Sequence, residues 1–480
     1  MYRMNRLSFL LECVGHPVES RSAINYLDIL PGNPLHTLLH MQHNKHFKCK
    51  MVLLNDEEVQ RNKSYIEEGK ITNTEVITVY DLLDGIQRGN LSDIDAITIY
   101  DYDLFKTAAY NLKRFIDEDL LNGLNKALID NGMLLVSHRV NLPTDYPKSL
   151  LDLIRYHADK YPDKHDKCIE VRRLLSGLSI ACDHNRDLPI VRLHDVIDAM
   201  DDDELLYQYI LSAELPTEFT SFVEMFKKMK FLYIADYMTN FMANDGLPSK
   251  ILALLEKNDS IMANEQYLDL LNNRQIRHSL FIKTENIFTP FYAFDTSALN
   301  GKYVRCNATV DGIMNSYLNE EEQTIIIENA GTIKVKGMFL KACLKILGDA
   351  YPSFLSVDSL ANAARQCLDM AGHKEIEGNQ DDLNHLLMRI YIALNPSAIE
   401  FTDRKPNDKR SYLYDGLNYH LFNTYKKMVS MLGQTITFSG EEVTYFDAML
   451  RGSDIVECFR GINDETSKKL LKLVKDHDLF

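Results

Sequence analysis

Near the hundredth position the run Tyr100-Asp101-Tyr102-Asp103 sets two phenol rings beside two carboxylates. Aromatic faces attract cations and a carboxylate can orient N–H groups, so this loop could hold an ammonium. Its plainer reading is an exposed polar loop. A second group is His36, His40, His43 and His46, with Cys49 close behind. On a helix, positions 36, 40 and 43 share a face, a spacing that could turn imidazoles toward one metal ion. The segment has no glutamate of the H-E-x-x-H kind, so a surface helix without a metal is the expectation. Arg274 and Arg277 lie about one helical turn apart and could form a fork for carboxylates. They stand between two apolar elements, which points to ion pairs inside the fold.

The elements that must position these groups follow from hydrophobic patterning. Short apolar runs at Leu7–Val14, Phe47–Leu54, Glu75–Tyr80, Asp95–Tyr100 and Met133–Ser137 read as strands one to five. Helical patterns such as Glu57–Glu68 and Asp117–Asn131 lie between them. Strands alternating with helices predict a parallel, doubly wound α/β sheet, with its ligand at the carboxyl ends of the strands. From about 148 to 215 the pattern is helical, and Asp201-Asp202-Asp203-Glu204 reads as an acidic helix start. Phe222, Met225, Phe226 and Met229 form one apolar helical face, and Phe231–Asp236 reads as a short buried strand or a turn into the next helix. Three amphipathic helices follow at Val335–Leu347, Val357–Met370 and Asp381–Leu394, then a strand near 399–403. The polar run at 402–411 reads as a surface connection.

The chain has 480 residues and a formal net charge of -16. That length suits about three domains, and the charge disfavours nucleic acid, whose phosphates need a basic face. The eight cysteines form no C-x-x-C pair, as expected of reduced thiols in a cytoplasmic protein. No run reaches the ~18 apolar residues of a membrane span, and the opening residues read as a strand and not a signal peptide.

Phe219–Lys283 opens with FTSFVEMFKKMKFLYIADYMTNFM and closes with YLDLLNNRQIRHSLFIK, where Asn273, Arg274 and Arg277 precede Leu280 and Phe281. This layout resembles the methyltransferase regulatory domain of bacterial proteins that carry an S-adenosylmethionine (SAM) methyltransferase domain. Further pieces are Asp93-Ile94-Asp95-Ala96-Ile97, the Asn131-Gly132 turn into MLLVS, and the helix ending at Tyr156-His157. The resemblance implies an α/β Rossmann-like class I methyltransferase domain at 1–165 and a mainly helical regulatory domain at 166–330. A winged-helix-like domain would follow at 331–410 and a tail at 411–480, in which Leu450-Arg451-Gly452-Ser453 loosely matches the family's closing turn. The implied activity is methyl transfer from SAM to a protein side chain, by family a lysine amine.

Such enzymes carry an acidic-x-Gly-x-Gly-x-Gly segment after strand one, whose glycines let the backbone approach the cofactor. With strand one at 7–14, the matching segment is Glu12-Cys13-Val14-Gly15-His16-Pro17-Val18, where Glu12 and Gly15 alone fit. The resemblance also implies Asp56 for the ribose hydroxyls, Asp81 for the adenine amine, and Tyr100, Asp101 and Tyr102 around the methyl acceptor. So poor a glycine loop implies weakened or lost SAM binding. The rival expectation is an inactive scaffold acting through a partner protein. The acidic third helix, with Asp381, Asp382 and only Arg389, disfavours a DNA-reading winged helix.

Overall fold

The central strands are apolar runs buried on both faces, as a sheet covered by helices on either side requires. In this computed structural model the described residues are 4–15, 23–140, 147–211, 218–242, 247–257, 260–272, 274–284, 294–310, 317–328, 330–351, 353–374, 378–394, 396, 398–403, 421, 427–429 and 435–437. The residues His16, Pro17, Val18 and Asn273, and almost all of the tail, including Leu450–Ser453, lie outside them.

A helix, α1 (Met4–Cys13), comes first, where a strand is expected. Strand β1 is Ile24–Ile29, followed by α2 (Pro34–His43), β2 (Phe47–Leu53), α3 (Asp56–Glu68), β3 (Thr74–Thr78) and α4 (Val79–Arg88). Next come β4 (Ile94–Ile99), α5 (Tyr102–Lys113), α6 (Asp117–Ala127) and β5 (Leu128–Arg139). The misread strand has a physical reason. Leu7, Phe9, Leu10, Leu11 and Cys13 are all buried, and a short run buried all round shows no period that separates helix from strand.

A helical stretch follows: α7 (Lys148–Ala158), α8 (Lys164–Ala181), α9 (Pro189–Asp198) and the single turn α10 (Asp202–Leu205), which runs into a π-helical turn at Leu206–Ile210. Then α11 (Phe219–Lys228), β6 (Phe231–Asp236), α12 (Ser249–Leu255), α13 (Ile261–Leu271) and β7 (Ile276–Lys283) complete the main sheet. Its order is β3-β2-β1-β4-β5-β7-β6. Strands β1 to β5 are mutually parallel, and β7 is antiparallel to both β5 and β6. The sheet therefore crosses the expected boundary at 165, because β6 and β7 come from the block taken as regulatory.

Side chains alternate between two cores. Tyr26, Met51, Leu135 and Ile282 enter one that also holds α1 and the helices beyond residue 330. Leu27, Val52, Leu134 and Phe281 enter the other, with α4 to α8 and α11. Beyond the sheet lie β8 (Tyr303–Arg305), β9 (Ala308–Val310), β10 (Gln323–Ile327), β11 (Gly331–Val335), α14 (Met338–Ala350), β12 (Leu355–Ser356), α15 (Val357–Met370), α16 (Gln380–Ala393) and β13 (Glu400–Thr402). The three helices and the final strand stand where the sequence puts them. Strands β12 and β13 flank β8 rather than pairing with each other, and residues 404–420, where a wing would follow, lie outside the described residues.

Helix α1 is bound to this last part. The Arg6 guanidinium donates to Thr239 Oγ1 at 3.0 Å and lies 4.0 Å over the Tyr391 ring. Phe9 meets the rings of Tyr391 and Phe401.

Candidate functional site

Parallel strands β1, β2, β3 and β4 all end at one edge of the sheet, where an α/β fold holds its ligand. There β1 delivers Asp28-Ile29-Leu30-Pro31-Gly32-Asn33-Pro34. Asp28 is buried and accepts hydrogen bonds from the hydroxyls of Thr37, at 2.7 Å, and Thr98. Burial pushes its carboxyl up, while bonds from Thr98, Thr37 and Tyr26 pull it back. The side chain thus fastens β1 to β4 and to α2, which fixes the loop between them. Leu30 donates its N–H to Val52 O at 2.9 Å and turns left-handed, at φ 50°. For a residue with a Cβ that conformation costs about 1–2 kcal/mol. Pro34 opens α2, where its missing N–H costs nothing.

Set against the acidic-x-Gly-x-Gly-x-Gly pattern expected after the first strand, this loop has Asp28 at the acidic position and Leu30, Gly32 and Pro34 at the three glycine positions. Only the middle one is a glycine. Glu12 and Gly15, expected after the first strand, do not follow it, because residues 4–13 form a helix and the first strand begins at Ile24. Glu12 lies on α1, paired with Lys302 at 2.6 Å, and Gly15 follows that helix. The signal for the true loop was present in Asp28 and Gly32, but Asn25 and Tyr26 make the β1 run less apolar than α1.

Across the mouth, Tyr100 follows β4. Its N–H donates to Ile29 O at 3.1 Å, and its ring lies against Gly32. A Cβ on Gly32 would overlap the ring, standing 2.6 Å from both Cε atoms. The one glycine left in the loop is therefore covered, on the side where a side chain would project, by a phenol.

The other expected residues divide. Asp101 caps α5 by accepting from Leu104 N at 2.9 Å. Tyr102 is 1% exposed and meets Phe222 and Phe226, so it is a core residue and not part of an aromatic wall. Asp56 is exposed in the first turn of α3, three residues beyond a strand that ends in buried Leu53. Asp81 closes a capping box with Thr78 at the start of α4. At the β2 corner Asn55 caps α3 and donates its amide to Asp203 of α10 at 2.9 Å. Sequence reading missed Asp28, Leu30, Gly32, Asn55 and Asp203 as members of the site.

The mouth is acidic. Burial raises the Glu204 carboxyl, and Asp201, Glu58 and Asp101 nearby push the same way. Glu58 is raised by burial, with added repulsion from Asp201 and Asp203. Asp103 accepts from Arg139 N at 2.9 Å, and burial pushes its carboxyl up to about 6.

The described histidines of this stretch have separate surroundings. His36 is buried, His40 Nδ1 meets the Asn44 amide at 3.2 Å, and His46 lies against Phe47. The side chain of His43 is outside the described residues. Among the described residues no group of three His, Cys, Asp or Glu side chains could hold a metal ion.

Arg274 and Arg277 do turn inward. Arg277 is fully buried, reaches Glu265, Asp269 at 3.2 Å and Asp236 at 3.4 Å, and lies 3.5 Å over the Phe219 ring. Arg274 pairs with Asp236 at 2.8 Å. Burial would raise the Asp236 carboxyl, but the two guanidinium groups outweigh it and hold it low. Arg274, just before β7, and Arg277, within it, thus bind β6 and α13 to β7 as one unit.

Sheet order, one reversed strand and a ligand edge at the parallel carboxyl ends define a SAM-dependent methyltransferase-like fold with a regulatory domain. The family described as "Predicted methyltransferase regulatory domain" matches residues 193–283. As a whole the chain resembles bacterial protein-lysine methyltransferases: PKMT2 from Rickettsia typhi in complex with AdoHcy aligns at a TM-score of 0.67 and 19% identity, over 98% of this chain and 91% of that one. A second PKMT2 structure aligns at 0.66 and 18%, over 98% and 90%. A curated relative, the uncharacterized protein RP789 of Rickettsia prowazekii, is 20% identical over 195 residues. That match spans 40% of this chain and about a third of the relative, 35%.

SAM or its product would need backbone access at Gly32 and an acceptor at the β2 corner. Two features of this mouth bear on such a ligand. The Tyr100 ring fills the space beside Gly32, and at the β2 corner Leu53 is buried while the Asn55 amide is bonded to Asp203.

Proposed function

We propose that this chain is a SAM-dependent methyltransferase-like protein related to the protein-lysine N-methyltransferases, with its hold on the cofactor weakened. The observation that carries this is the Asp28–Pro34 loop, which keeps the acid and the middle glycine of the cofactor motif and covers that glycine with Tyr100. When bound, SAM supplies an electrophilic methyl group. The acidic mouth of Glu58, Asp101, Asp201, Asp203 and Glu204 suits a protein substrate that presents a cationic lysine side chain. Glu12 and Gly15 drop out of the cofactor set. Asp56 and Asp81 are retained at its rim, where they edge the cleft beyond β2 and β3. Free thiols at seven described cysteines support a cytoplasmic location, and the order α14, α15, α16, β13 supports a winged-helix-like character for 331–410.

A second reading, an inactive methyltransferase-fold scaffold that works through a partner protein, is favoured by the β2 corner. There the Asn55–Asp203 bond occupies the place of a free carboxylate. Calorimetric titration with SAM and with AdoHcy, backed by a thermal-shift assay, decides between the two. Ligand at about a hundred times its dissociation constant stabilises the fold by ~2.7 kcal/mol, which a shift in melting temperature reads. The first reading expects saturable binding weaker than micromolar. No binding at millimolar ligand overturns it in favour of the scaffold.

A further inference from the structure

We propose that the Tyr100 ring is a gate on the cofactor cleft, which must swing off Gly32 before a SAM-type nucleoside can seat against the β1 loop. The inference rests on the methyltransferase-like reading above and names the residue that sets its affinity.

Three observations support a moving side chain on a fixed backbone. The ring covers the face of Gly32 where any Cβ would collide with it. The backbone beneath the ring is pinned on both sides, by the Tyr100 N–H to Ile29 O and by Asp101 capping α5. The ring itself is 39% exposed, so a rotation about its own side-chain bonds carries it toward solvent without moving β4 or α5. Rotamer changes of exposed side chains take picoseconds to nanoseconds, so the gate costs affinity and not time. A ligand that needs the open rotamer binds with its intrinsic constant divided by the open fraction.

Substitutions separate this from a ring that merely decorates the mouth. Tyr100→Ala opens the cradle, Tyr100→Phe keeps the ring, and Gly32→Ala fills the cradle from below. AdoHcy and SAM are titrated into all four proteins, with circular dichroism to confirm the fold. The gate predicts at least tenfold tighter AdoHcy binding for Tyr100→Ala than for the parent chain. Tyr100→Phe, which keeps a ring over Gly32, gains less than Tyr100→Ala, and Gly32→Ala binds no better than the parent. Equal or weaker binding by Tyr100→Ala, with the parent still binding, overturns the gate and leaves the methyltransferase-like reading intact. No binding by either overturns both.

A ligand-free readout tests the contact itself. The chain has no tryptophan, so Tyr100→Trp introduces a sole reporter. Emission shielded from acrylamide, with quenching that rises when Gly32→Ala is added, is the expected result. Full quenching of the single variant in the absence of ligand shows that the ring does not sit on the loop, and overturns the proposal.

Discussion

At the scale of single residues, the buried guanidinium groups of Arg274 and Arg277 are answered by carboxylates, whereas burial raises the Asp103 carboxyl. The pair Arg274 and Arg277 was legible in the sequence, since two arginines one turn apart between apolar runs have few places to go but inward. Asp103 was legible only as part of a polar loop. Its burial follows from a bond to Arg139 N, contributed by β5, which no local pattern reveals. That burial gives a pH dependence. Folding raises the Asp103 carboxyl from its usual 3.8 to about 6, so between those values the folded chain binds more protons than the unfolded one. Stability from this group is therefore full near pH 4 and is lost as pH rises through 6. Asp103→Asn keeps an oxygen to accept the Arg139 N–H and removes the titration. In urea melts the variant should match the parent near pH 4 and exceed it by roughly 1–3 kcal/mol at pH 7.5; identical profiles would show that the group does not titrate in this window.

At the scale of elements, strands two to five and most helices could be read from period and punctuation, because their apolar runs are flanked by caps and turns. The capping residues Asn55, Thr78 and Asp101 stand at the starts of α3, α4 and α5. Strand β1 could not be read, since its identity depends on pairing with β2 and β4 and not on its own composition. The loop behind β1 offers a test of competing terms. In Leu30→Gly the left-handed backbone is relieved by about 1–2 kcal/mol, whereas the lost burial of a leucine costs about 1.5–3 kcal/mol. Burial wins by about 1 kcal/mol, so the melting temperature should fall while AdoHcy binding tightens, as a glycine enters the loop after β1. A variant weaker in both respects would refute the idea that Leu30 limits cofactor approach.

At the scale of the whole molecule, the sheet recruits β6 and β7 from far along the chain; Phe231–Asp236 was legible as a short buried strand, but the sheet it joins was not, because that depends on pairing with β7. Residues 1–165 by themselves would leave β5 unpaired along the edge from Met133, opposite Ile282, to Arg139, opposite Ile276. A buried central strand turned into an open edge recruits other chains. That fragment should therefore emerge as aggregate or high oligomer on size exclusion, and a monodisperse, folded fragment would show that the first five strands suffice. Helix α1 carries the same lesson further in time. Its arginine and phenylalanine dock on Tyr391 and Phe401, so on a ribosome this helix must wait for almost four hundred residues before its partners exist. Until then its apolar face is a natural client for a chaperone, and the pace of synthesis, more than any local propensity, sets when the molecule closes.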